Sequence, residues 1–212
     1  MALDRHGCFP SKDAICVWTD ASGHIIASPS LGIFVPGDRR VKALVASLAL
    51  PRCFLLREDD QERKAYCKTT TLESLAYLAT LCIDPMRFVG TEVVFHIDNH
   101  AAVIALRKGH SRDSWASTIV RAARVVAAAL GCSLFSEWER RRSTRGSIIA
   151  DELTHNLIAV LNDQELQEYL VLGRVEFPEP ISQWLANPGP DVGLGMRCVL
   201  WMRRYFPEFT GT

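Results

Sequence analysis

Four acidic residues, Asp20, Glu73, Asp98 and Asp151, stand where the edge of one β-sheet can gather them. Asp20 closes the apolar run Ala14–Thr19 (AICVWT), and Asp98 closes the apolar run Val93–Ile97 (VVFHI). Strands apolar on both faces lie in the middle of a sheet, so these two acids are expected side by side at its edge. Glu73 and Asp151 each fall near the start of a segment with helical spacing. Carboxylates brought together repel unless they share protons or bind a cation, and hard divalent ions such as Mg²⁺ are held by oxygen ligands. The chemistry these residue types suggest is a divalent metal centre.

Each acid also has a local explanation. Asp20 can open a turn with Ala21-Ser22-Gly23, Glu73 can complete a capping box with Thr70, Asp98 adjoins the helix-capping Asn99, and Asp151 can favour the positive end of its helix. Glu152 stands beside Asp151, and either of the two can face inward. What favours a cluster is the joint placement of all four at strand ends and first helical turns.

The elements that must position them follow from periodicity. After the first strand, His24–Ala27 is a short second strand, Pro29-Ser30 breaks it, and Leu31–Val35 is a third, which together make an antiparallel meander. Residues 38–68 are read as an insertion or an elaborated third strand. Leu72, Leu75, Ala76, Leu78, Ala79 and Cys82 recur at helical spacing, which predicts a helix over Thr70–Cys82. Asn99 caps a helix Ala101–Leu106. Ser114–Leu130 is a longer helix with Trp115, Ile119, Ala122, Ala123, Val126 and Leu130 on one face, ended by Gly131. Ser133–Trp138 reads as a strand, and Ile148–Leu161 as a helix. The fold class expected is α/β, with a central mixed five-stranded sheet (three antiparallel strands, then two parallel) flanked by helices. Residues 1–162 form the domain, and 163–212 a C-terminal helical extension packed on the core.

With 48% hydrophobic and 23% charged residues, the 212-residue chain has ordinary globular composition, which excludes disordered and fibrous classes. No apolar run approaches the roughly 18 residues that span a bilayer. The opening MALDRHGCFPSKD lacks the apolar stretch of a signal peptide, so the expectation is an intracellular protein, cytoplasmic or nuclear, with no membrane partner. Seven cysteines without a CxxC pair read as reduced thiols packed as small hydrophobes. Net charge is zero, yet residues 91–150 carry nine Lys/Arg against five Asp/Glu and residues 151–212 carry four against nine. The positive stretch includes Arg107, Lys108, Arg112, Arg121, Arg124 and the run Arg140, Arg141, Arg142 and Arg145.

WTDAS (Trp18–Ser22), TTTLESLAYL (Thr69–Leu78), HIDNHAAVIALRKGHS (His96–Ser111) and IIADELTHN (Ile148–Asn156) resemble, in order, the acidic motifs of ribonuclease H domains. The variants are most similar to those of retrotransposon reverse transcriptases, the DIRS-like lineage in particular. The resemblance covers about residues 14–160. It implies an RNA–DNA hybrid as substrate and two-metal hydrolysis by two Mg²⁺ or Mn²⁺ ions about 4 Å apart. Asp20 would bridge the ions, Glu73 and Asp98 would hold one of them, and Asp151 would complete the other site. Ser22, Asn99, Lys108, His110, Arg112, Arg140, Arg141, Arg142 and Arg145 are the candidates for holding nucleic acid, through phosphates and A-like helical shape. A reverse transcriptase domain of the same polyprotein is the implied protein partner. Cellular ribonucleases H carry a histidine in the loop before the final aspartate, and Ser143-Thr144-Arg145-Gly146-Ser147 has none. His155, one helical turn beyond Asp151, is the nearest substitute, with surface or packing roles as its alternatives.

Two other functions share this fold. One is integrase- or transposase-type DNA cleavage or strand transfer, for which a glutamate in the last helix is usual and Glu152 is available. The other is an inactive nucleic-acid-binding or polymerase-docking module. Clustered charge that must be neutralised speaks against the last.

Overall fold

The computed structural model describes residues 9–22, 30–37, 44–50, 62–155 and 170–209. In chain order the elements are β1 (Ile15–Ser22), β2 (Ser30–Val35), β3 (Leu44–Ala49), α1 (Glu62–Ile83), a 3₁₀ turn (Pro85–Phe88), β4 (Glu92–Ile97), α2 (His100–Lys108), α3 (Ser114–Leu130), β5 (Ser133–Trp138), α4 (Arg145–His155), β6 (Leu170–Val175), α5 (Glu179–Ala186) and α6 (Leu194–Tyr205). The strands form one mixed sheet in the order β5-β4-β1-β2-β3-β6. β1, β2 and β3 pair antiparallel, with Asp20 opposite Gly32, while β4 lies parallel to β1 and β5 parallel to β4. This is the expected five-stranded core. The C-terminal segment adds a sixth strand, β6, parallel to β3, before its two helices.

Both faces of the sheet are covered, for a reason visible in each strand. Val17 of β1, Leu31, Ile33 and Val35 of β2 and Val93, Phe95 and Ile97 of β4 bury against α1 and α3 in the main core. Trp18, Phe34 and Val45 point to the opposite face, where Ile149 and Leu153 of α4 pack on them. Side chains alternate across a strand, so Asp20, two residues beyond Trp18, lies on the α4 side. α6 extends the main core with Leu194, Cys198, Val199 and Met202. The C-terminal extension is thus part of the packed domain.

Three local expectations are corrected. The third strand of the meander is β3, within residues 38–68, the segment read as an insertion or an elaborated third strand; Leu31–Val35, expected as the third, is β2, and His24–Ala27 lies outside the described residues. α1 begins at Glu62 rather than at Thr70. Thr70 and Glu73 are therefore mid-helix, and no capping box exists there. Instead Ser74 Oγ donates to the Thr70 carbonyl at 2.8 Å, a bond available only inside a helix. The last expected helix, Ile148–Leu161, starts earlier, as α4 at Arg145, and its residues 156–161 lie outside the described residues. By contrast α3 has the bounds its periodicity predicts, with Asp113 capping its start and Gly131, at φ 65°, its end. Asn99 caps α2 as expected, its side chain accepting from the Ala101 and Ala102 amides. No helix among the described residues is long and apolar enough to cross a membrane.

Candidate metal centre

β1 carries Asp20 to the sheet edge, its parallel neighbour β4 delivers Asp98 one residue past its own end, and α1 presents Glu73 from across the other face. One carboxylate oxygen from each of these three lies within 4.8 Å of the other two. Asp20 is 5% and Glu73 2% exposed. Asp98 is half-buried. One oxygen of Asp151 falls within the same distance of Asp20 and of His155. The structure thus brings Asp20 together with Glu73 and Asp98 in one group and with Asp151 in another.

Electrostatics agree with the geometry. Burial pushes the Asp20 carboxyl above its ordinary range, against the pull of the Arg141 guanidinium and the Thr154 hydrogen bond. Burial also pushes Glu73 well above it, reinforced by the charges of Asp20 and Asp98, although the Ala21 amide donates to it. Asp98 rises for the same two reasons, burial first and the Asp20 charge second. Asp151 behaves differently: burial raises it, but the hydrogen bonds from Arg141 and Arg142 prevail and its pKa lies below the ordinary range.

A divalent cation fits the first three acids. Glu73 Oε2 is buried and has no hydrogen-bond partner among the described residues, and a buried acceptor without a donor costs about 1–3 kcal/mol. An ion at this position would supply the missing partner and remove the repulsion together. The raised acids give a testable sign. A carboxyl whose folded pKa is raised contributes stability below its unfolded pKa and loses it as pH rises through the folded one. In chelator, Glu73→Gln should therefore match the wild type near pH 4 and become the more stable protein as pH rises. A pH-independent difference in urea midpoints would show Glu73 to be unperturbed.

The other site predictions divide. Asp151 faces inward, 3% exposed, whereas Glu152 pairs outward with Arg142 at 2.8 Å. His155 is exposed, its Nε2 3.0 Å from Arg141 Nη2 and 3.9 Å from Asp151 Oδ1. Ser22 is buried in β1, and half-buried Asn99 caps α2 through its Oδ1. Lys108, His110 and Arg112 are exposed in and after the end of α2, and Arg140 and Arg145 are exposed between β5 and the start of α4. Within the positive stretch, Arg107 is tied to the Ser136 carbonyl at 2.8 Å and Arg124 to the Leu106 carbonyl at 2.7 Å. Those two hold α2 in place.

Sequence reasoning missed Thr154, Trp18, His96 and Glu139. Thr154 Oγ1 lies 2.9 Å from Asp20 Oδ2 and 2.7 Å from the Asp151 carbonyl, fixing α4 to β1 at the acids. Its position three residues after Asp151 was the only available signal. Trp18 stacks on His96 at 4.7 Å, and Glu139 joins them, accepting from Trp18 Nε1 at 3.1 Å and lying 3.2 Å from His96 Nδ1. Thr19, Asp20, His96, Asp98, Glu139 and Arg141 line one small cleft. Tyr77, one turn beyond Glu73, is buried with its hydroxyl unpartnered among the described residues. Tyr77→Phe should therefore leave the melting temperature unchanged or raise it, since no hydrogen bond is lost; a clear drop in calorimetry would reveal a partner for the hydroxyl.

Comparison with protein-family models, with curated proteins and with solved structures finds no match.

Proposed function

We propose that this chain is a metal-dependent endonuclease of the ribonuclease H type, hydrolysing the RNA strand of RNA–DNA hybrids. The observation that carries the reading is the convergence of Asp20, Glu73 and Asp98 from β1, α1 and β4, with Asp151 beside Asp20 on α4. The order of strands and helices and the four motifs that contain these acids support the same assignment. Fold alone does not select a reaction, so the reading stands on the site.

Bound Mg²⁺ or Mn²⁺ supplies Lewis-acid stabilisation of the phosphoryl oxygens and an activated water at neutral pH. The protein's own part is to hold that charge in place. Asp20, common to both carboxylate groups, would be a ligand at both positions, and Thr154 orients it. Glu73 and Asp98 would complete the first position, and Asp151 the second. Glu73, whose pKa burial raises, would have to bind as the carboxylate. Packing of α4 on β1 and β2 keeps Asp151 and Thr154 at fixed distance from Asp20.

Labelled RNA–DNA hybrid, duplex DNA and single strands, each incubated with Mg²⁺, Mn²⁺ or chelator, test the proposal. Cleavage of the hybrid's RNA strand only with metal is expected; cutting or joining of DNA alone would transfer the site to the strand-transfer class, and no cleavage of any substrate would refute the nuclease reading. The outward pairing of Glu152 speaks against strand transfer by a glutamate in the last helix. Lys108 and Arg112, exposed beside α2, are assigned to phosphates. Lys108→Ala and Arg112→Ala should each weaken hybrid binding irrespective of sequence and lower the slope of log K against log salt by about one, measured by fluorescence anisotropy.

A further inference from the structure

Arg141 stands where a second cation would be needed. Its Nε donates to Asp151 Oδ1 at 2.6 Å, its Nη2 is paired with the same oxygen, and that Nη2 lies 3.9 Å from Asp20 Oδ2 and 3.0 Å from His155 Nε2. Arg142 takes the other oxygen of Asp151 at 2.6 Å. Both oxygens of Asp151 are therefore bound by guanidinium groups, between the same Asp20, Asp151 and His155 atoms that are close enough to share a metal ion. A guanidinium and a divalent ion cannot occupy that space together, because both need the same oxygen lone pairs and their charges repel.

The two arginines stand on a short exposed loop between β5 and α4. Glu139 anchors its base, accepting from Thr144 Oγ1 and from Trp18 Nε1, while the Arg141 and Arg142 side chains are 51% and 49% exposed. Arg142 is the one residue other than glycine with positive φ among those described, at 55°. That left-handed backbone costs of order 1 kcal/mol for a side chain such as arginine. Guanidinium forks match phosphate as well as they match carboxylate.

We propose that Arg141 and Arg142 are an internal lock on the second cation position, released when the phosphate chain of a nucleic acid takes up their guanidinium groups. This rests on the carboxylates holding ions, as proposed above. Binding of the second ion and binding of the phosphodiester chain then favour each other reciprocally. In the free protein the first position, Asp20, Glu73 and Asp98, fills alone.

The test is the stoichiometry of Mn²⁺ binding, read from the electron paramagnetic resonance of free Mn²⁺, on protein without substrate. The wild type should bind one ion tightly, and Arg141→Gln/Arg142→Gln should bind two, the second at least about tenfold tighter than in the wild type. Adding Asp151→Asn to that variant should return the count to one. Wild type with a short oligothymidylate, corrected for ions held by the strand alone, should approach the variant's count. Circular dichroism keeps the comparison to folded protein, and single substitutions give a second route if the double variant does not fold. Equal count and affinity in wild type and variant would overturn the lock alone; absence of Mn²⁺ binding in both would overturn the metal centre and the lock with it.

Discussion

Asp20→Asn should lower cleavage of an RNA–DNA hybrid by about a thousand-fold while raising the melting temperature of the chelated protein. The two effects share one cause. Asp20 is the buried carboxylate common to the group with Glu73 and Asp98 and the group with Asp151 and His155. Removing its charge therefore takes a ligand from both of the proposed cation positions. Without ions the same charge is a liability, since it raises the pKa of Glu73 and of Asp98. Asparagine keeps the shape, and its amide can still meet the Thr154 hydroxyl that lies 2.9 Å from Asp20. Relief of repulsion worth about 1 kcal/mol corresponds to about 2–4 °C in a chain of this size. In the wild type Mg²⁺ should raise the melting temperature, and in the variant that rise should shrink. Calorimetry with and without chelator checks the stability half, and single-turnover cleavage checks the other. Wild-type cleavage by Asp20→Asn would end the proposed mechanism.

Gly32→Ala should cost about 3 kcal/mol of stability, the upper end of ordinary overpacking, and should impair the site although Gly32 bears no functional group. Gly32 pairs with Asp20 in the β1–β2 ladder and lies directly under α4. A Cβ there would meet the Ala150 carbonyl oxygen at 2.2 Å and Leu153 Cβ at 2.9 Å. The first obstacle is backbone, so no rotamer change relieves it and the helix must rise. Asp151 and Thr154 ride on that helix, next to Ala150 and Leu153. Lifting it separates Thr154 and Asp151 from Asp20. The expected fall in melting temperature is about 6–12 °C, accompanied by loss of the second Mn²⁺ in the Arg141→Gln/Arg142→Gln background. A variant that melts like the wild type would mean that α4 sits farther from the sheet than the structure has it.

Much of the scaffold was legible because its signals are local. β4 is a short, largely apolar run before Asp98, and α3 has an apolar stripe between the Asp113 cap and Gly131. Such elements read correctly because their hydrogen bonds and caps close within a few residues of sequence. The start of α1 was hidden because Glu62–Lys68 (ERKAYCK) is mostly polar, and the spacing of Thr70 and Glu73 imitated a cap. β3 was ambiguous because a short apolar run suits a buried strand or a buried helix equally. β6 could not be foreseen, since its partner β3 lies more than a hundred residues earlier.

The metal centre divides along the same line. Two buried strands ending in acid already placed Asp20 and Asp98 together, because burial on both faces forces central positions in a sheet. Glu73 was readable as a helical acid, but only the passage of α1 across the sheet brings it to them, and the choice of Asp151 over Glu152 depends on how α4 turns against β1 and β2. Thr154, and the two arginines that close on Asp151, come from chain positions with no local reason to meet Asp20. The sequence by itself determined which residues carry charge and which strands are buried; tertiary packing decided which charges face each other, because distance between carboxylates is set by strand pairing and helix docking across the whole chain.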